Sequence, residues 1–158
     1  MAAPGRLGGG RAMSLRCLAV HGGAYYQIEA LEGRYAPHFT ALARPEALPD
    51  LAHFDAVLVA CRTPGFRLVP VAAALRGFLD RGGCVVAMGE TRPDLWLPGA
   101  RLTPEPTNWW WWLTPGAELG VRITAPGHPL LGRLRDRDLT WHLHGWFDPP
   151  PGATVLAA

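Results

Sequence analysis

Asp55-Ala-Val-Leu-Val-Ala-Cys61 and Cys84-Val-Val-Ala-Met88 bracket the stretch whose reading decides the fold. Each is a short, near-continuous apolar run of the kind buried on both faces of a parallel sheet. Arg62-Thr63-Pro64-Gly65 breaks the first run. The clearest helix of the chain lies between them. Pro70 suits a first-turn position, and Val71, Leu75, Phe78 and Leu79 recur at i, i+4, i+7 and i+8. Gly82-Gly83 closes that helix in the manner of a C-cap. Strand, crossover helix and strand at this spacing predict a right-handed βαβ unit.

Toward the N-terminus, the apolar run Leu15 to His21 ends at Gly22-Gly23 and reads as a first strand that delivers a turn. Tyr25 to Leu31 is expected to be helical and His38 to Ala43 to form a second strand. Asp50 is placed to N-cap a short turn through Leu51 and Phe54. After Pro93 the character changes, with prolines on both sides of the run Trp109-Trp110-Trp111-Trp112. Strands are expected at Leu119 to Ala125, Leu139 to Phe147 and Ala153 to Leu156, and a short helical turn at Pro129 to Leu134. The fold class that follows is α/β, with a flavodoxin-like, doubly wound parallel sheet in three α/β/α layers. Residues 1–13 read as a disordered Gly- and Ala-rich arm, and 14–158 as one domain.

Composition removes several functions. The chain has 158 residues, of which 49% are hydrophobic and 18% charged, so it can bury a core. The formal charge is only +2 and the basic residues are scattered, which argues against a nucleic-acid surface. Every basic side chain is Arg, consistent with a GC-rich coding bias. Without lysine there is no Schiff-base amine and no Walker-type phosphate lysine. Ser14 is the only serine and precedes the first strand, whereas a hydrolase serine would sit on a strand-to-helix turn. Cys17, Cys61 and Cys84 are odd in number and lack CxxC spacing, so reduced thiols and a cytoplasmic setting are expected. No apolar run is long enough to span a membrane, and the N-terminal stretch lacks the apolar segment of a secretory signal.

Taken together, the strand ending in His21-Gly22-Gly23, Phe54 to Cys61, Leu75 to Glu90, Gly127 to Leu134 and Leu139 to Phe147 are similar in order to a class I glutamine amidotransferase-like domain. The trehalose-utilisation-type or uncharacterised branches of that superfamily are the most similar. The resemblance covers roughly residues 14 to 158 and implies the flavodoxin-like fold. It also implies where an amidotransferase would keep its machinery. The cysteine elbow would follow Val85 to Met88, but Met88-Gly89-Glu90-Thr91 holds no thiol. The oxyanion-hole Gly-Gly position reads Cys61-Arg62-Thr63, and the late His-x-Glu pair reads His142-Leu143-His144. Glutamine hydrolysis is therefore not expected. The family domain usually runs further, so the C-terminus is expected to be incomplete, leaving a sheet edge open.

Ligands of open parallel sheets bind beyond the C-terminal ends of the strands. That rule gathers His21, Cys61, Arg62, Glu90, Thr91 and Arg92 at one rim. Glu90 near Arg62 or Arg92 is a candidate general base or ligand-orienting group, the plain alternative being a rim ion pair. His142 and His144, two apart on a strand, would share a face and could bind a divalent metal, the alternative being a hydrogen-bonded structural pair. Cys61 beside Arg62 is a candidate off-position nucleophile or, more plainly, inert core. Asn108 and the tryptophans after it are the oddest feature. Consecutive indoles cannot all face one core, so at least one or two should be exposed, either lining a groove that stacks on a sugar ring or plugging a loop. The leading expectation is a non-hydrolytic binding domain. It would hold a small polar, carbohydrate-like ligand at His21, Arg62, Glu90, Arg92, Asn108, Trp109 and Trp110. One alternative is a metal-assisted hydrolase using His142, His144 and Glu90. Another is an interaction domain that self-associates through Trp109 to Trp112. No organic cofactor is expected.

Overall fold

The computed structural model describes residues 15–106, 109–139 and 142–158. The expected arm at 1–13, together with Asn108, falls outside them. Strands β1 (Cys17–Val20), β2 (Ala41–Ala43), β3 (Ala56–Val59) and β4 (Cys84–Ala87) form one parallel sheet in the order β2-β1-β3-β4. Leu18 pairs with both Ala41 and Val57, and Val57 pairs in turn with Val85. The chain is thus α/β with an all-parallel sheet. Its order is compatible with the flavodoxin-like pattern, in which the chain reverses direction between β1 and β3.

Alternation along the strands distributes the core. Leu18, Val20, Val57 and Val59 project to one face, where they meet Leu51, Leu68, Leu75, Phe78 and Trp96. Ala19 projects to the other face and packs with Leu31 and Ala60, flanked by Phe39, Leu42 and Leu58. Helix α1 (Tyr25–Glu32) supplies Leu31 to the second face, while α2 (Gly65–Leu68) and α3 (Ala72–Asp80) cover the first. Pro70 lies in a 3-10 turn, Val69–Val71, that joins α2 to α3. Its missing N–H interrupts the α-helical ladder, so the helical stretch starts earlier than the apolar periodicity suggests and has a break in it. At the edge of the sheet, Val85 and Ala87 of β4 pack inward, whereas Cys84 is exposed and Val86 is 45% exposed.

An ion pair closes the N-terminal end of the sheet. The Arg16 backbone N–H and Nε both donate to Asp55 Oδ2, at 2.8 and 3.2 Å, and Nη2 donates to Oδ1 at 2.9 Å. These bonds hold the Asp55 carboxyl at about 2, below its ordinary 3.8. Because the folded value is the lower one, the unfolded chain takes up the proton first. The stabilising contribution is complete above pH 3.8 and is lost as pH falls through about 2. Urea unfolding of Asp55→Asn and the parent between pH 5 and 2 should show a shallower acid-side loss in the variant. Parallel curves would mean that the pair carries no linkage.

Downstream of β4 the sequence expectations need correction. The strand expected over 139–147 is confined to β6 (Gly145–Asp148), and Leu139 instead ends the short helix α4 (Asp136–Leu139). Thr140 and Trp141 lie outside the described residues. β6 pairs antiparallel with β5 (Arg101–Pro104), which comes from the proline-rich region that showed no strand pattern. The strands expected at 119–125 and 153–156 reduce to one isolated bridge, Ile123 to Ala157. Left-handed Gly120 and Pro126 cut the first segment short, and Pro149 to Pro151 with left-handed Gly152 cut the second. Pro129 to Leu134 forms successive hydrogen-bonded turns rather than a helical turn, with Leu131 N–H donating to His128 and Leu134 N–H to Leu131. Similarly, only Ala41–Ala43 of the expected second strand is extended in the sheet, and Ala36–His38 is a 3-10 turn. Among the described residues no helix is long and apolar enough to cross a membrane.

Candidate functional site

Two adjacent strands, β3 and β4, carry their chains out at the same rim. After β3 the backbone passes through Cys61 into Arg62, whose φ is 64°. After β4 it passes through Gly89, φ 53°, to Glu90, buried Thr91 and Arg92, φ 50°. The two loops touch: a Cβ at Gly89 would lie 2.6 Å from Cys61 Sγ, so both the left-handed backbone and the close approach require glycine there. Arg62 and Arg92 have no such licence. Each holds a left-handed conformation costing an L-residue about 1 kcal/mol or more, and Pro93 restricts Arg92 further. Strain of this kind persists only where the surroundings impose it, and it concentrates at ligand sites.

Glu90 is the centre of the arrangement. Its Oε2 lies 3.3 Å from Arg62 Nε and its Oε1 lies 3.1 Å from His144 Nδ1. His144 reaches it from the loop entering β6, where the His144 carbonyl accepts a bond from Glu105 N–H at 3.0 Å. Trp109 packs edge-on against His142 and His144, with ring centroids 4.5 and 5.3 Å apart. The Arg62 guanidinium stands over the same indole at 5.9 Å. Next to Glu90, Arg92 makes two bonds to Asp94, which raise the guanidinium's pKa and lower that of the carboxyl. Trp96 Nε1 donates to the Thr91 carbonyl at 2.9 Å and fixes the loop from beneath.

The result is a cavity of about 520 Å³ between the sheet rim and the β5–β6 ribbon. Arg62, Glu90, Arg92, His142 and His144 form its polar side, and Leu102, Pro104 and Phe147 its apolar side. Of the residues singled out from sequence, these five polar groups do converge. His21 does not line this cavity; it ends β1 and is only 8% exposed. Trp109 supports the imidazoles, but Trp110 turns away to pack on Trp112 at 6.1 Å and is 65% exposed. Cys61 lines a different, apolar cavity beneath α1 with Tyr26 and Met88. His142 and His144 precede β6, so strand alternation does not align them. Their rings are 6.2 Å apart and inclined at 72°.

Among the described residues no group of three or more His, Cys, Asp or Glu side chains is placed to hold a metal ion. Glu90 is bound through one oxygen to Arg62 and through the other to His144, and a guanidinium beside it opposes a second cation. The apolar wall escaped sequence reading because β5 lies among prolines, and no sequence signal marks the two left-handed arginines. No family model matches the chain, and neither a curated protein nor a solved structure is similar to it at a significant level.

Proposed function

We propose that this chain is a non-hydrolytic, small-molecule-binding domain of the class I glutamine amidotransferase-like, flavodoxin-like kind, whose cavity takes a small uncharged polyhydroxylated ligand. The observation that carries this reading is Glu90, held between Arg62 and His144 at the mouth of a cavity with one polar and one apolar wall. Each guanidinium lining the cavity is already matched by a carboxylate: Arg62 by Glu90, and Arg92 by Asp94. The polar wall therefore offers acceptors and donors side by side with little net charge. A hydroxyl, which both donates and accepts, suits that wall better than an ion does. Leu102, Pro104 and Phe147 would face the C–H surface of a sugar or polyol. The strand order supports the family reading, and the absence of a thiol at Gly89-Glu90-Thr91 supports a domain without glutaminase chemistry. All three cysteines are free, which supports a reducing, cytoplasmic setting.

The test is ligand-detected NMR with a panel of neutral monosaccharides and polyols, followed by calorimetry on the best binder. Glu90→Gln keeps the shape but loses the charge-assisted bonds, so affinity should fall by about tenfold or more. If no neutral polyol binds, or if Glu90→Gln binds as well as the parent, the proposal fails.

A further inference from the structure

At the end of β1, which β3 separates from β4 in the sheet, the chain turns through His21-Gly22-Gly23-Ala24 into α1 with its own set of polar groups. Gln27 Oε1 accepts the N–H groups of Gly22 and Ala24 at 3.0 and 3.2 Å, and Gln27 Nε2 anchors to the Cys61 carbonyl at 2.6 Å. The N–H groups of Gly23, Tyr25 and Tyr26 have no acceptor among the described residues. The helix N-cap is Ala24, which supplies no side-chain acceptor, and the first turn of α1 contains no acidic residue. The positive end of α1 is therefore uncompensated.

Two guanidinia close on this turn. Arg67 donates Nη1 to the Gly22 carbonyl while pairing in two places with Glu46, so its charge is answered. Arg44 lies flat against Gly23: a Cβ there would stand 3.1 Å from its Cζ and Nη2, and only glycine, at φ 90°, leaves that room. The Arg44 guanidinium, on an exposed residue, makes no ion pair and no hydrogen bond among the described residues. Beneath the turn, His21 is only 8% exposed and its Nδ1 has no hydrogen-bond partner. Burial pushes the imidazole's pKa down; Arg44 and, less strongly, Arg67 act in the same direction, and Glu32 opposes them. Buried polar atoms without partners are rare, and His21 Nδ1, on the residue that leads into a turn with free N–H groups, points to a missing partner.

We infer that the β1–α1 turn is a second binding site, separate from the Glu90 cavity, for the tetrahedral oxyanion of phosphate or a phosphate monoester. The anion would take the free N–H groups of Gly23, Tyr25 and Tyr26, pair with Arg44 and give His21 Nδ1–H its acceptor. The turn lies at the C-terminal ends of β1 and β2, beside the point where the sheet's winding reverses, which is where open parallel sheets collect such groups.

Calorimetry with inorganic phosphate and with glycerol 3-phosphate, at constant ionic strength, tests this directly. Saturable binding of at least one is expected, and the tighter of the two says whether the site takes the free ion or an esterified group. Arg44→Gln should weaken it about tenfold or more, while Arg34→Gln, which removes an exposed guanidinium stacked on Tyr35, should not. Amide NMR of the parent provides a readout independent of any variant's folding: Gly23, Tyr25 and Tyr26 should shift together on titration. Absence of saturable binding, binding that survives Arg44→Gln, or shifts confined to other residues would each overturn the inference. Glu90→Gln should leave phosphate binding intact, so failure here is distinguishable from failure of the polyol site.

Discussion

Leu75→Ala should lower the unfolding free energy by about 3 kcal/mol, within the range of roughly 2–5 kcal/mol found for buried leucines. Leu75 is 1% exposed at the centre of α3 and belongs to the cluster of Leu18, Val57, Val59, Leu68 and Phe78 that glues the helix to the sheet. Its neighbours are strand residues with little freedom to collapse into the space left behind, which raises the cost. Urea unfolding measures it as a drop in midpoint at constant slope. Ala74→Ser on the exposed side of the same helix should cost only a few tenths of a kcal/mol, so the contrast isolates packing from helix propensity. A loss for Leu75→Ala below about 1 kcal/mol would be incompatible with α3 packing on the sheet as described.

Arg62→Gly should leave the protein as stable as the parent, or up to about 1 kcal/mol more stable, and should abolish most binding in the Glu90 cavity. At an ordinary negative φ the same change would cost about 0.5–1 kcal/mol in chain entropy. Here φ is 64°, and glycine relieves a conformation that a side chain resists. The lost ion pair to Glu90 offsets little, because both partners are partly exposed, at 55% and 38%. Comparing Arg62→Gly with Arg62→Ala separates the two contributions. Both lose the guanidinium and only alanine keeps the strain, so glycine should be the more stable by about 1 kcal/mol. If alanine proves the more stable, Arg62 is not left-handed. Gain of stability with loss of ligand is the pattern expected when strain is held for function.

The two predictions draw on parts of the molecule that differ in how far sequence discloses them. Leu75 was identifiable in advance because its spacing from Val71, Phe78 and Leu79 is a helical stripe, and because Cys84 to Ala87 follows a glycine stop. Arg62 was recognisable as a rim residue, since it follows an apolar strand, but its φ was not. A left-handed arginine carries no sequence mark; it arises because the Cys61 side chain is pressed against Gly89 and Arg62 is drawn toward Glu90.

Local sequence suffices for the βαβ unit, the first strand with its Gly-Gly turn, the Asp50 cap that Ala52 N–H meets at 3.0 Å, and the exposure of at least one or two of the consecutive indoles. These rest on local periodicity, on turn residues and on the geometry of consecutive side chains, all of which act over a few residues. The strand order, the pairing of Arg101–Pro104 with Gly145–Asp148 and the meeting of Glu90 with His144 emerge from long-range packing. A strand needs a backbone partner as well as an alternating pattern, and that partner can come from any distance along the chain. For this reason two well-patterned segments, 119–125 and 153–156, stayed outside the sheets while a proline-flanked one joined a ribbon. That ribbon turns a rim of charged residues into a cavity with two unlike walls.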